Sequence, residues 1–223
     1  MRTALLDLDG TLVDSAAMIV SHLAAALDTV GIPDPGPVVL RSFVGPPFET
    51  ALPAIGLTPE QTAAVITVYR ATYDPVAATE TPIYPGVVAM LDRLKSAGVR
   101  LALATSKPEH LALRIVDGVG IAQYLTVVGG SDDTVGRVGK DKVVASVLDR
   151  LGLDPAAEPV VMVGDRHHDV DGAAVHGVPT IGVEWGYAEA GELAGAAAVV
   201  PDVAALEKAL LSGDVWSTAA PAA

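Results

Sequence analysis

The sequence contains no cysteine, so neither a disulfide framework nor thiol chemistry can underlie its function. Basic residues are also scarce: 14 lysines and arginines stand against 27 aspartates and glutamates, and the formal net charge is −13. Because this much negative charge repels a phosphate backbone and no basic run interrupts it, nucleic-acid binding is not expected. An anionic small substrate would need local positive charge to overcome the overall field.

Long apolar runs and an N-terminal leader are missing as well. No uninterrupted apolar segment reaches membrane-spanning length, and the chain enters a buried-looking strand without the basic and apolar regions of a signal peptide. We therefore expect a soluble, cytoplasmic monomer or homodimer with neither a membrane nor a nucleic acid as partner. The 223 residues, 51% of them hydrophobic, are enough for one substantial core and a smaller second domain.

Short apolar runs predict strands that are buried on both faces. They are Ala4–Leu8, Val99–Ala104, Val160–Val163 and Thr180–Val183, with Tyr124–Val128 as a weaker fifth candidate. Helix patterns alternate with these runs, and those at Val87–Ala97 and Lys142–Leu151 each stop at a glycine, the preferred residue after a helix C-terminus. This alternation predicts an α/β fold with a doubly wound, mainly parallel sheet.

Residues 15–81 break the alternation, because they contain helix patterns and no convincing strand. Within them, Thr58, Pro59 and Gln61 have the order of an N-cap, a first-turn proline and a near capping box. Connections between a strand and the next helix are usually short, so a helical segment of this length indicates an inserted all-helical domain. It leaves from the end of the first strand, where ligands bind in open α/β sheets, and would act as a lid. The predicted domains are a core of residues 1–14 and 82–211, a helical cap of residues 15–81, and a flexible tail of residues 212–223.

Two pairs of aspartates follow predicted strands. Asp7 and Asp9 come at the end of the first strand, before Gly10, and Asp165 and Asp169 follow a later strand. Aspartate is a poor strand former and is costly to bury. A turn signal explains Asp9 and Gly10 but not Asp7, and a helix N-cap explains Asp169 but not Asp165.

Two further candidates lie at helix starts. Thr105 and Ser106 end a strand just before a proline that opens a helix, and hydroxyls beside helix N–H groups form an anion site. Lys140 begins a helix after a glycine-rich loop. Taken alone, a single lysine is usually a solvated surface residue.

The haloacid dehalogenase superfamily has four motifs that this chain resembles in the same order. They are DxDGT from Asp7, a strand-final Ser or Thr at Thr105, a later Lys at Lys140, and GDxxxD ending at Asp169. The resemblance extends from Met1 to about Leu211 and implies a Rossmann-like core with phosphatase activity. It implies that Asp7 attacks phosphorus to form an aspartyl-phosphate, that Asp9 is the general acid and base, and that Thr105 and Lys140 bind the transferring phosphoryl oxygens.

A metal ion follows from charge as well as from the resemblance. Asp7, Asp165 and Asp169 would place about three negative charges in one crevice, which a divalent cation together with Lys140 would balance. Ligands that are all oxygen suit Mg²⁺. The resemblance implies that Asp7, the backbone carbonyl of Asp9 and Asp165 hold the ion, with Asp169 bound directly or through water.

The predicted cap resembles the C1 cap of phosphoglycolate phosphatases, β-phosphoglucomutases and several nucleotidases. The sequence around Thr105 resembles the phosphoglycolate phosphatase and 5′-nucleotidase branch, which implies phosphoglycolate-like esters or nucleoside 5′-monophosphates as substrates. The residues expected to bind substrate are Gly10, Thr105, Ser106, Lys107, Arg41 and Gly45.

Two alternatives stay open at this point. Dehalogenases of the superfamily lack the second aspartate, so Asp9 favours phosphoryl transfer. A mutase of the β-phosphoglucomutase type uses the same motifs. It also needs groups in the cap that are dedicated to re-binding a sugar bisphosphate, and none is identifiable in the sequence. A non-catalytic binding protein would be favoured by the loss of a motif residue, and none is missing.

Overall fold

The computed structural model describes residues 1–216, and in it six strands form one sheet. The strands are β1 (Thr3–Leu6), β2 (Arg100–Pro108), β3 (Val128–Ser131), β4 (Val160–Gly164), β5 (Thr180–Val183) and β6 (Ala198–Val200). Their order across the sheet is β3-β2-β1-β4-β5-β6, and all neighbouring pairs are parallel. The chain order reverses at β1, which creates a crevice at the carboxyl ends of β1 and β4. The predicted doubly wound parallel fold is confirmed.

In residues 1–216, five helices cover both faces of this sheet, and the four that come first in the chain form a separate segment. They are α1 (Ala16–Val30), α2 (Pro37–Ser42), α3 (Phe48–Ala51), α4 (Pro59–Glu80), α5 (Val87–Ser96), α6 (Glu109–Gly118), α7 (Lys140–Leu151), α8 (His167–Ala174) and α9 (Val203–Ser212). Side chains alternate along β1: Leu5 packs with Val143 and Val147 of α7, whereas Ala4 and Leu6 belong to the cluster that contains α5, α6 and α9. The core is therefore built in three layers, with the crevice at one edge.

Helices α1 to α4 occupy residues 16–80, and we call this segment the cap. α1 and α4 pack on each other through buried side chains that include Leu23 and Tyr73. The capping box at the start of α4 is formed: the Thr58 hydroxyl accepts from the Gln61 N–H at 3.2 Å, and the Gln61 side chain accepts from the Thr58 N–H at 2.9 Å. The long α4 thereby begins at a fixed residue and carries its aromatic side chains toward the core.

Several boundaries differ from the sequence prediction. β1 ends at Leu6 instead of Leu8, and β2 continues to Pro108 after a register shift. The fifth candidate strand was wrong in position, because residues 122–124 form a 3₁₀ turn and β3 begins only at Val128. The edge strand β6 was not predicted.

The predicted flexible tail differs from the structure at residues 212–216. Ser212 ends α9, and residues 214–216 form a 3₁₀ turn in which Trp216 is buried and its indole N–H donates to the Leu210 carbonyl at 2.9 Å. A buried indole with a satisfied N–H holds this turn on the core. The rest of that predicted tail, residues 217–223, lies outside the described residues. Within residues 1–216, no helix combines the length and apolar character needed to cross a bilayer.

Candidate active site

Three buried carboxylates meet at the carboxyl ends of two adjacent strands. Asp7 directly follows β1, Asp165 directly follows β4, and Asp169 lies in the first turn of α8. Because Leu6 is paired with Val163 in parallel register, the residues after both strands leave the sheet at the same edge. One carboxylate oxygen of each aspartate lies within 4.8 Å of the others. The structure thus brings together the residues predicted as side-chain metal ligands.

Glycines make room for these carboxylates. Gly10 has φ +83°, and a Cβ atom there would lie 2.1 Å from an Asp165 carboxylate oxygen. A Cβ on Gly164 would lie 2.2 Å from the Asp169 carboxyl carbon. The glycines of the DxDGT and GDxxxD motifs are therefore required by close packing around Asp165 and Asp169. For Gly10, the structure shows this steric role, and the substrate contact stays a prediction.

Lys140 supplies the positive charge of the cluster. It is the first residue of α7, its side chain is 4% exposed, and its Nζ lies 2.8 Å from Asp7 Oδ1 and 2.7 Å from Asp169 Oδ1. The same ammonium donates to the Ala104 carbonyl at 2.9 Å. Burial lowers the pKa of Lys140, but Asp169 and Asp7 more than offset this and hold the pKa above its ordinary value. Lys140 is a fixed cation between two carboxylates.

One lysine does not balance three carboxylates. Burial raises the pKa of Asp7 from 3.8 to about 6, with Asp169 adding to the rise and Lys140 opposing it. Burial also raises the pKa of Asp165 well above its ordinary value, and the charges of Asp169 and Asp7 act in the same direction. The Asp165 carboxylate accepts the Tyr187 N–H at 2.8 Å and the Thr11 hydroxyl at 3.4 Å, neither of which is a cation. The ionised cluster is short of positive charge.

This donor set fits a hard divalent cation. All the side-chain donors are carboxylate oxygens that converge on one crevice, and burial together with neighbouring carboxylates raises the pKa of Asp7 and of Asp165. Oxygen ligands of this kind suit Mg²⁺, whose charge would favour the ionised forms.

Asp9 has a different environment from Asp7. Lys107 Nζ lies 2.9 Å from Asp9 Oδ2 and 3.1 Å from Oδ1, and the Ser15 hydroxyl also donates to this carboxylate. Lys107 donates in addition to the Tyr73 hydroxyl of α4 at 3.2 Å. Asp9 is therefore connected through Lys107 to the cap. Sequence reasoning missed Ser15 and Tyr73, because neither belongs to a motif.

Thr105 and Ser106 lie where β2 nears its end. Thr105 is 1% exposed, and its hydroxyl accepts the Lys107 N–H at 3.2 Å. It follows Ala104, whose carbonyl binds Lys140, so the Thr105 backbone lies beside the Asp7–Lys140 pair. Ser106 is half-buried and faces the cavity described next.

A cavity of about 540 Å³ lies between the cap and the core, beside Asp9. Cap residues in its lining include Phe43, Gly45, Phe48, Tyr69, Tyr73 and Asp74, and core residues include Asp9, Ser106, Lys107 and Asp133. Gly45, Ser106 and Lys107, three of the residues predicted to bind substrate, thus line one cavity. Arg41 is not part of this lining: it is exposed, and its guanidinium lies 5.9 Å from the Tyr187 ring centroid. The substrate contact of Arg41 stays a prediction.

A second contact joins the cap to residues 165–169, the segment that carries Asp165 and Asp169. Arg166 donates to the Val44 carbonyl at 2.8 Å, and its Nε lies 2.6 Å from Glu192 Oε1. Glu192 also binds the His167 ring. Because Arg166 directly follows Asp165, the loop that carries the carboxylates is tied to the cap. No sequence pattern indicated Glu192 or the contact between Arg166 and the Val44 carbonyl.

Comparison with known proteins identifies the class of this site. The sequence profile of the haloacid dehalogenase-like hydrolases matches residues 4–183, and the chain belongs to this family. Membership confirms the predicted superfamily. The fold is similar to that of a protein described as a predicted phosphatase from Clostridium acetobutylicum, with a TM-score of 0.87, 32% identity, and 94% of this chain and 98% of that chain covered.

Curated relatives have more than one function. The tyrosine-protein kinase PtkA of Mycobacterium tuberculosis is 43% identical over 189 residues, which are 85% of this chain and 64% of that protein. The chain therefore spans less than two thirds of the length of this relative. A 5′-nucleotidase of Pseudomonas aeruginosa is 33% identical, with 85% of each chain covered. A phosphoglycolate phosphatase of Xanthomonas campestris is 32% identical, with 83% of this chain and 84% of that protein covered.

Proposed function

We propose that this chain is a Mg²⁺-dependent phosphomonoester hydrolase that acts on a small phosphorylated metabolite, with Asp7 as nucleophile. The observation that carries the proposal is the division of labour between the two aspartates of the first motif. Asp7 is part of the buried cluster around Lys140, whereas Asp9 is held by Lys107 beside a cavity large enough for a leaving group. The family and the relatives named as phosphatase and nucleotidase support this reaction class.

In the first step, a carboxylate oxygen of Asp7 forms a bond to phosphorus while the bond from phosphorus to the leaving oxygen breaks. The product is an aspartyl-phosphate on Asp7. Lys140, 2.8 Å from Asp7, neutralises negative charge on the transferring group, and the backbone and hydroxyl of Thr105 orient it. Asp7 must be ionised to attack, so the cations around it favour its reactive form.

Asp9 is the general acid and base of the proposed reaction. It gives a proton to that oxygen as the first bond breaks, and it then takes a proton from the water that hydrolyses the aspartyl-phosphate. Lys107 and Ser15 fix the direction of its carboxyl group. The cap, which contacts Lys107 through Tyr73, encloses the cavity and limits the access of other water.

Asp7, Asp165 and Asp169, with the backbone carbonyl of Asp9, are the residues that would hold Mg²⁺. When bound, the ion supplies positive charge that draws a phosphate oxygen into the crevice and stabilises negative charge in the transition state. Lys140 then needs to balance only the negative charge of the carboxylates that the metal ion does not neutralise.

A phosphate-release screen over small phosphate esters tests this function. We expect release in the presence of Mg²⁺ and none after the metal is removed with EDTA. An absence of release from every ester, by a folded protein that binds Mg²⁺, would contradict the proposal.

Phosphoryl transfer to tyrosine is a second candidate, because the 43% identity to PtkA exceeds the identity to the phosphatase relatives. Incubation with γ-labelled ATP and a tyrosine-containing peptide separates the two reactions. A hydrolase gives labelled phosphate and no phosphotyrosine. Label on the peptide would favour the kinase reaction.

A further inference from the structure

We infer that the cavity beside Asp9 selects a leaving group that carries an aromatic ring and a hydrogen-bond donor, and disfavours one that carries a carboxylate or a second phosphate. The inference rests on the proposed function, since it specifies which phosphate esters that site accepts. Four features of the cavity carry it: its volume, its aromatic side chains, the pairing of its cations, and Asp74.

The volume exceeds what a small leaving group can fill. At about 540 Å³, the cavity lies within the range of sites that enclose drug-sized ligands, roughly 300–1,000 Å³. A leaving group of two or three carbon atoms would leave most of this space to water. A group the size of a nucleoside would occupy considerably more of it.

Three aromatic rings from the cap form one wall. Phe48 of α3 meets Tyr69 edge to face with ring centroids 4.8 Å apart, and Tyr69 stacks on Tyr73 at 4.9 Å. Tyr69 and Tyr73 are buried, whereas Phe48 is half-buried and keeps free surface on the cavity side. A planar ring in the cavity can pack on this wall by the offset or edge contacts that aromatic groups prefer.

The cations of the lining are already paired. In the described part of the chain, the lysine and arginine side chains that line the cavity are Arg70 and Lys107. Arg70 lies 2.9 Å from Glu49, and Lys107 lies 2.9 Å from Asp9. A substrate carboxylate or second phosphate would have to take one of these cations from its partner. For Lys107 this would leave Asp9 as an unpaired buried charge, which is strongly unfavourable.

Asp74 offers an acceptor for a neutral or cationic group. It follows Tyr73 on α4 and lines the same cavity, and its Oδ1 is buried without a hydrogen-bond partner among the described residues. Buried polar atoms almost always have a partner, so this oxygen is suited to receive an N–H or O–H from a ligand. A carboxylate on the ligand would instead be repelled by Asp74.

Calorimetric titration of the Asp7→Asn protein with Mg²⁺ present tests the inference without turnover. The probes are uridine 5′-monophosphate, which has an aromatic ring with an N–H donor, and 2-phosphoglycolate, which has a carboxylate. We expect the dissociation constant of the uridine ester to be at least tenfold lower. Equal or tighter binding of 2-phosphoglycolate, or no binding of the uridine ester, would overturn the inference.

Variants of the lining give a second readout. In the Asp7→Asn background, Phe48→Ala and Asp74→Ala should each weaken binding of uridine 5′-monophosphate by about tenfold, whereas the exposed cap substitution Val38→Ala should not. Glu49→Gln, which frees Arg70, should strengthen binding of 2-phosphoglycolate. Unchanged binding in both Phe48→Ala and Asp74→Ala would overturn the assignment of the wall and the acceptor.

Phosphate release by the wild-type protein keeps the two proposals distinct. Release from 2-phosphoglycolate with higher kcat/KM than from the uridine ester would overturn the inference and leave the proposed function standing. Failure to release phosphate from any ester, with the uridine ester still bound preferentially by the Asp7→Asn protein, would overturn the proposed function and support the assignment of the cavity.

Discussion

Removal of the metal should destabilise this protein more at pH 7.5 than at pH 5. The folded pKa of Asp7 is raised from 3.8 to about 6, so protonation of Asp7 favours the folded state. The unfavourable contribution of its charge is absent below about pH 4, grows between about pH 4 and pH 6, and is complete above pH 6. A shift of about two pKa units corresponds to roughly 3 kcal/mol.

The assay is the thermal midpoint of EDTA-treated protein at pH 5 and pH 7.5, with and without Mg²⁺. For a chain of this length, about 1 kcal/mol moves Tm by roughly 2–4 °C. About half of the Asp7 contribution is already present at pH 5, because this pH lies above the ordinary pKa, so Asp7 alone accounts for a difference of roughly 3–6 °C between the two pH values. Mg²⁺ at about 100 times its dissociation constant should increase the free energy of unfolding by roughly 2.7 kcal/mol at pH 7.5. The stabilisation by Mg²⁺ should be smaller at pH 5, because protons compete with the metal for the carboxylates.

A matched pair of variants isolates the cluster from the rest of the acidic surface. Asp165→Asn keeps an acceptor for the Tyr187 N–H but removes one buried charge, so it should raise the Tm of the metal-free protein at pH 7.5 by about 2–4 °C, or about 1 kcal/mol. It should also abolish most of the Mg²⁺ response. Asp117→Asn, on the exposed face of α6, should change neither. Equal Mg²⁺ responses at both pH values, or a full response in Asp165→Asn, would refute the reasoning.

Three further substitutions probe the groups around Asp7, the proposed nucleophile. Lys140→Met leaves Asp7 without its cation, and we expect a loss of about 3–5 kcal/mol in unfolding free energy and of roughly 10²–10³ in kcat for phosphate release. Gly164→Ala should displace the Asp169 carboxylate and raise the Mg²⁺ concentration needed for half-maximal activity. Tyr73→Phe removes one hydrogen bond to Lys107, and kcat should fall by up to about tenfold. Wild-type values in these three assays would contradict the respective roles.

The edge of the sheet that carries the candidate active site could be predicted because its signals are local. Asp7 and Asp165 each interrupt an apolar run at a strand end, which has no simple structural explanation. The parallel sheet then requires both to meet, since β1 and β4 are neighbours. Lys140 became informative only through the order of the motifs, because its two ion pairs depend on packing between α7 and α8.

β3 illustrates where local patterns fail. It contains Gly129 and Gly130, which are poor strand formers, so the apolar pattern indicated a segment several residues earlier. The structure supplies the reason for both glycines: a Cβ on Gly129 would lie 2.2 Å from Val147, and one on Gly130 would lie 2.6 Å from the Glu109 backbone. Close approach of neighbouring elements is a tertiary property that the local sequence does not encode.

The contacts between cap and core were beyond prediction for a related reason. Tyr73 is one aromatic residue among several in α4, and its partnership with Lys107 depends on how the cap sits on the core. The same dependence accounts for Arg41, whose helix directs it toward Tyr187 and away from the cavity. A helical pattern fixes which residues share a face but not which neighbour that face meets.

Hydrolysis of p-nitrophenyl phosphate by the wild-type and Asp7→Asn proteins is the most direct test of the central claim. We predict Mg²⁺-dependent release of p-nitrophenol by the wild type, loss of this release with EDTA, and a fall of roughly 10⁴-fold or more in Asp7→Asn. Asp117→Asn serves as the matched control and should retain wild-type kcat. Substantial Mg²⁺-dependent hydrolysis by a folded Asp7→Asn protein would contradict the assignment of Asp7 as the nucleophile.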